Sequence, residues 1–170
     1  QKIASSRLED QNPNRLLTYF NTKAPIRIDV MRGFVDYLVP YSIMKKIIQT
    51  DQAPAPVGPY NQAIIHSGTL YISGQIAIHP ATGELETGDI EAETRRVMEN
   101  LSAILAAADL TFEDVIKCSI FVADMNHYGR INEVYATYFN EATAPARELV
   151  EVANLPKFVN IEISAIAAFD

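Results

Sequence analysis

The run VIKCSIFVAD, Val115 to Asp124, decides the architecture. Val115, Ile116, Cys118, Ile120, Phe121 and Val122 leave neither face of an extended chain polar. A strand of that kind belongs near the middle of a sheet, covered on both sides. It lies between two stretches with helical spacing. Before it, Asp89 can cap a helix whose first turn holds Glu91 and Glu93. Ile90, Val97, Leu101, Ile104, Leu105 and Ala108 then share one face of that helix. Asp109 follows at a place where a left-handed glycine would fit more easily. Thr111 and Asp114 have capping-box spacing over a short turn. After the strand, Asn126 is read as the cap of a second helix, in which Tyr128, Ile131, Tyr135 and Tyr138 recur at helical intervals and suit a core.

Working outward, KKIIQT (45–50) reads as a strand. DQAPAPVGPY (51–60) holds three prolines and a glycine, so it is an extended loop. NQAIIHSGTLYISGQ (61–75) is two apolar runs about Ser67 and Gly68, a hairpin signal. HPATG (79–83) gives a turn. ELVEVA (148–153) and IEISAIAAF (161–169) are the last strands. The order β-β-β-α-β-α-β-β predicts an α+β fold, a two-layer sandwich of one mixed sheet and two helices.

Composition narrows the function. Of 170 residues, 48% are hydrophobic and 21% charged, which supports a packed core. Net charge is −7, which argues against a protein built to neutralise nucleic-acid phosphates. The single cysteine, Cys118, allows no intrachain disulfide and fits a reducing compartment, so a cytoplasmic location is expected. No apolar run is long enough to span a bilayer, and no secretory signal opens the chain. Residues 1–43 carry six basic and four acidic side chains, against eight and seventeen in 44–170. They show no sustained period. IRIDV (26–30) reads as a short strand and MRGFVDYLV (31–39) as a short helix. We read 1–43 as an N-terminal extension, 44–170 as the functional domain and Met44 as a candidate start.

Two charges on the last strands draw attention. In TAPARELVEVANLP, Thr143 to Pro156, Arg147 lies two residues after Pro145, which ends the second helix. Alternation puts Arg147, Leu149 and Glu151 on one face of its strand and Glu148, Val150 and Val152 on the other. A planar guanidinium suits two-point capture of a carboxylate; pairing with Glu148 or Glu151 is the plainer alternative. In the last strand Glu162 alternates with Ile161 and Ile163. Partial burial there would raise its pKa toward that of a working base. His66, His79 and His127 follow no zinc spacing, so no metal is expected. ISGQ is not a nucleophile elbow, and Gly68, Gly74, Gly83 and Gly88 form no phosphate loop.

APAPVGPYNQA, LYISGQI, NLSAIL, VIKCSIFVADM, INEVYATYF, PAR, VEVANLP and IEISAIA together resemble the reactive intermediate deaminase A family (RidA, also called YjgF), over about residues 44–169. The resemblance implies a chorismate-mutase-like fold and a homotrimer with clefts between subunits. It implies hydrolysis of short 2-imino acids, chiefly 2-iminobutanoate and 2-iminopropanoate, to 2-oxo acids and ammonia. That activity clears reactive products of pyridoxal-phosphate-dependent dehydratases and needs no cofactor. Neither nucleic acid nor membrane is implied as a partner of the deaminase. By motif, Arg147 would grip the substrate carboxylate and Glu162 would orient or activate water. Tyr60, Ser73, Gly74 and Asn132 resemble the family's pocket residues. Leu149 departs from the cysteine that many members carry there, which rules out thiol chemistry and leaves backbone contacts intact. The resemblance also admits other classes, namely a holdase chaperone, an RNA-directed translation inhibitor, or a hydrolase of another small carboxylate.

Overall fold

Ser67 and Gly68 both take positive φ, 52° and 73°, the backbone of a tight hairpin turn whose twist matches its strands. In the computed structural model, which describes residues 45–169, they join β2 (Ala63–His66) to β3 (Thr69–Gln75). The short strand β1 (Lys46–Ile48) pairs antiparallel with β2. Then come α1 (Ile90–Ala106), β4 (Val115–Val122), α2 (Tyr128–Ala136), β5 (Ala146–Glu151) and β6 (Ile161–Ala168). This is the order read from the sequence. IRIDV, MRGFVDYLV, the boundary at 43 and Met44 lie outside the described residues.

The strands form one sheet in the order β1-β2-β3-β6-β4-β5. β4 and β5 run parallel across α2, and β4 pairs antiparallel with β6, so the sheet is mixed. The expected α+β class is observed. Asp89 caps α1 by accepting from Ala92 N. All six residues of the expected apolar stripe are buried. Asp109 takes the left-handed conformation, φ 59°, and Leu110 N reaches back to Leu105 O at 2.9 Å. Thr111 and Asp114 form their capping box.

Two expectations need correction. Asn126 does not cap α2. A short helical turn, Met125–His127, precedes α2, and Asp124 caps that turn by accepting from Asn126 N at 2.8 Å. The cap moves upstream because the added turn takes up the residues next to α2. Second, β4 lies inside the sheet as expected, but only one of its faces is fully buried. Cys118, Ile120 and Val122 join the core, while Ser119 and Phe121 are half-buried. α1 packs on β3, β6 and α2, and the core residues of sheet and helices form one cluster on that side. The opposite face of the sheet is not covered by either helix.

β6 shows the same division with strict alternation. Ile161, Ile163, Ala165 and Ala167 are buried; Glu162, Ser164, Ile166 and Ala168 are half-buried. Its start is pinned from α1. Glu93 is fully buried, and its carboxylate accepts from Asn160 N at 2.7 Å and Asn160 Nδ2 at 2.8 Å. Hydrogen bonds to a buried carboxylate are among the stronger kind, and removing one partner strands the other. Glu93→Ala should therefore cost about 2–4 kcal/mol, read as a lower urea midpoint in an equilibrium unfolding curve.

Candidate active site

Arg147 is placed by β5 and held by α2. It lies in register with Cys118 of β4, whose side chain is buried in the core, so Arg147 points to the helix-covered side. There NH1 donates to Asn132 Oδ1 at 2.8 Å and NH2 donates to the Tyr128 hydroxyl at 3.3 Å. The guanidinium carbon lies 4.9 Å from the Tyr135 ring centroid and 6.0 Å from that of Tyr128. Tyr128, Asn132 and Tyr135 follow one another at spacings of four and three, so α2 presents all three on one face. Among the described residues no carboxylate pairs with Arg147. Glu148 is taken by Lys117 at 3.2 Å and by the Ser119 hydroxyl. Glu151 accepts from Met125 N at 2.8 Å. The plainer alternative, Arg147 as a partner of Glu148 or Glu151, is therefore not what the structure contains. Phe139, Glu141 and Pro145 border the cleft in front of the guanidinium. Cys118 beneath it is not a reactive thiol: burial pushes its pKa up, which keeps it protonated.

Glu162 occupies a second cleft, of about 410 Å³, lined also by Tyr60, Ser73 and Gly74. The pairing of β3 with β6 shifts register between Ile72 and Gln75, which brings Gly74 against the glutamate. A Cβ built on Gly74 would lie 2.7 Å from Glu162 Cδ, a distance no real side chain tolerates. Burial pushes the Glu162 pKa up. Ser73 is not poised as a nucleophile, since its hydroxyl donates to Asn61 O at 2.7 Å. The Tyr60 hydroxyl accepts from Val57 N at 3.3 Å and braces the proline-rich wall.

Six residues were singled out in the sequence, and one chain gathers them into two groups. Tyr60, Ser73, Gly74 and Glu162 share one cleft; Asn132 and Arg147 share the other. Glu162 alternates with buried core residues and so faces the uncovered side of the sheet, whereas Arg147 faces the helices. β4 separates their strands. Leu149, two residues after Arg147, faces the same way and packs against the core.

Sequence reading missed the residues that hold the Glu162 cleft in shape. Gln62 is buried, donates to Thr50 O, Ala53 O and Pro54 O, and accepts from Thr50 N. Asn100, on the buried face of α1, donates to Ile76 O and Ile78 O at 3.1 and 3.0 Å. A polar residue inside an apolar stripe was the available signal for Asn100. Lys157, at the rim of the Glu162 cleft, takes φ 56°, which nothing in NLPKF announces. Tyr135 is buried as expected of a core tyrosine, but Tyr128 is 44% exposed, because the first turn of α2 lies at the cleft. Among the described residues no cluster of His, Cys, Asp and Glu could hold a metal ion, and no helix is long and apolar enough to cross a membrane.

A family model described as endoribonuclease L-PSP matches residues 50–169. A RutC family protein of Pyrococcus horikoshii is 54% identical over 73% of this chain and 98% of its own length. The 2-iminobutanoate/2-iminopropanoate deaminase of Mus musculus is 44% identical over 74% of this chain and 93% of its own. Among solved structures, TdcF of E. coli with bound serine is similar at TM-score 0.69 and 43% identity, covering 74% of this chain and 99% of that one. RidA from an Antarctic Psychrobacter gives TM-score 0.70 and 41% identity over 73% and 99%.

Gly74→Ala should leave the fold in place and turn the Glu162 carboxylate aside; carboxyl NMR titration should then show its pKa falling back toward the ordinary glutamate range. The raised pKa also has a stability consequence. The folded protein holds the Glu162 proton more tightly than the unfolded chain, so this contribution is full below the unfolded pKa and fades as pH rises through the folded one. Glu162→Gln should accordingly gain melting temperature relative to wild type as pH rises through that window, read by thermal melts at stepped pH.

Proposed function

Because the chain belongs to the RidA/YjgF family, we propose that it hydrolyses short 2-imino acids such as 2-iminobutanoate and 2-iminopropanoate to 2-oxo acids and ammonia. The observation that carries this reading is the state of Arg147. In a chain with an excess of acidic groups, its guanidinium donates, among the described residues, only to neutral acceptors, Asn132 and Tyr128. Its charge is left for an anionic ligand, and a carboxylate matches its fork.

The chemistry asks little more of the protein. A protonated imine is electrophilic at carbon, so neither a metal nor a strong nucleophile is needed. Arg147 holds the carboxylate next to the imine carbon. Glu162, with a pKa moved up by burial, takes a proton from the attacking water as the new C–O bond forms and the C=N π pair moves to nitrogen. It then returns the proton to that nitrogen. As the C–N bond breaks and the C=O bond forms, Glu162 takes the proton of the new hydroxyl and hands it to the departing ammonia, and the 2-oxo acid remains. A base whose pKa approaches the working pH serves both transfers.

Arg147 and Glu162 face opposite sides of one sheet, so the complete site is proposed to form between copies of the chain, in a homotrimer. Each cleft would take Arg147 and Asn132 from one subunit and Tyr60, Ser73, Gly74 and Glu162 from the next. A ring of identical heterologous contacts meets that requirement. The acidic net charge of −7 weighs against RNA cleavage, the activity named in the family description, as the main work.

Arg147→Ala should cut kcat/KM for imine hydrolysis about 30- to several-thousand-fold, with the fold intact by circular dichroism. The assay couples a threonine dehydratase to semicarbazide trapping of the imine. Arg147→Lys keeps the charge without the fork and should fall between the two. Co-refolding Arg147→Ala with Glu162→Gln tests the shared cleft: about one quarter of wild-type activity should return if sites form between copies, and none if each chain holds its own. Wild-type activity in Arg147→Ala alone would reject the reading.

A further inference from the structure

We infer that Tyr135 is a positioning residue, whose ring fixes the Arg147 guanidinium in the one orientation that presents its remaining donors to a ligand. The inference rests on the proposed role of Arg147 as the carboxylate anchor. Asn132 and Tyr128 each take one N–H from the two outer nitrogens of Arg147, so both bonds act at the tip of a long side chain. Two such bonds leave the plane of the guanidinium free to tilt about the line joining them. The Tyr135 ring, 4.9 Å below the central carbon, supplies the third point. Cation–π attraction sets that plane, and it strengthens where water is excluded. Tyr135 is 5% exposed, with its ring against Phe139 at 4.7 Å between centroids, so the platform is itself immobile.

Among the described residues no group meets the geometry of a full hydrogen bond to the Tyr135 hydroxyl, which lies beside the weakly polar Cys118 thiol. Burial first, and then the Cys118 thiol beside it, hold the phenol well above its ordinary range. It therefore stays neutral and takes no part in proton transfer. What Tyr135 supplies is the face of its ring.

The test first removes the hydroxyl and then changes the ring face alone. Tyr135→Phe should bind 2-oxobutanoate within about 2-fold of wild type by calorimetry, since the ring remains. It should melt no lower than wild type, because a buried hydroxyl without a full hydrogen bond is removed. A series of increasingly fluorinated phenylalanines at 135 keeps shape and burial and drains the ring's negative face. The dissociation constant should rise stepwise across the series, by about 3- to 30-fold in total, with the imine KM rising in parallel and kcat nearly constant. A merely structural ring would give a flat series, and flat binding across it overturns the inference. Arg147→Ala is the control that separates the two ideas. If it binds 2-oxobutanoate as tightly as wild type, Arg147 is not the anchor and the functional reading fails along with the clamp. If it loses binding while the series stays flat, only the clamp fails.

Discussion

Side chains on a β-strand alternate between faces, and in a sheet with helices on one side that alternation assigns every charged group to one of two environments. Arg147 shares the covered side with Cys118 and Leu149, and α2 meets it with three side chains. Glu162 lies between buried Ile161 and Ile163 and so faces away from the helices. Shifting either strand by a residue would move its charge to the other side and bury the wrong residues. The uncovered face is not a polar, solvated surface. Phe121 and Ile166 are half-buried on it, and Tyr71 and Val150 are more than 40% exposed. In the proposed trimer this face would meet a neighbour, which would account for the apolar residues on both sides of β4.

Charge pairing separates two kinds of arginine. Arg130 bridges Asp89 at 2.6 Å and Glu91 at 2.7 Å, tying α2 to the first turn of α1. Arg96 meets Glu86 at 3.0 Å and Glu99 at 2.6 Å. These cations are compensated and serve the fold. Arg147 is given neutral acceptors and an aromatic ring, which orient it without cancelling its charge. An anchor for an anion needs that combination, because a competing carboxylate would have to be displaced at each binding event.

The Glu162 cleft depends on buried polar groups. Gln62 holds the loop that carries Pro54, Asn100 holds the segment Ile76–Ile78, and Glu93 holds the start of β6 through Asn160. Each supplies hydrogen bonds to backbone groups of a proline-rich or irregular segment. The cleft walls are thereby made rigid without regular secondary structure, and the Glu162 carboxylate sits within a fixed frame beside Gly74.

How much of this was legible differs with the range of the interaction involved. The hairpin at Ser67 and Gly68, the Asp89 cap, the Thr111–Asp114 box and the order of strands and helices follow from neighbours within a few residues, and the sequence carries those patterns in full. Arg147 and Glu162 could be marked as unusual from their strands, and the alternation of each could be written down. The side-chain cap expected at Asn126 is absent because a helical turn too short to leave a period comes before α2, and Asp124 caps that turn instead. The apolar faces of β4 implied cover on both sides, which one chain supplies on one side. By itself the sequence determined which residues face together along each element, since that depends only on local backbone geometry. The tertiary structure alone decided which side the helices cover, that Tyr128, Asn132 and Tyr135 converge on Arg147, and that Gly74 lies against Glu162. Those contacts join segments far apart in the chain, and no local period encodes a meeting that packing brings about.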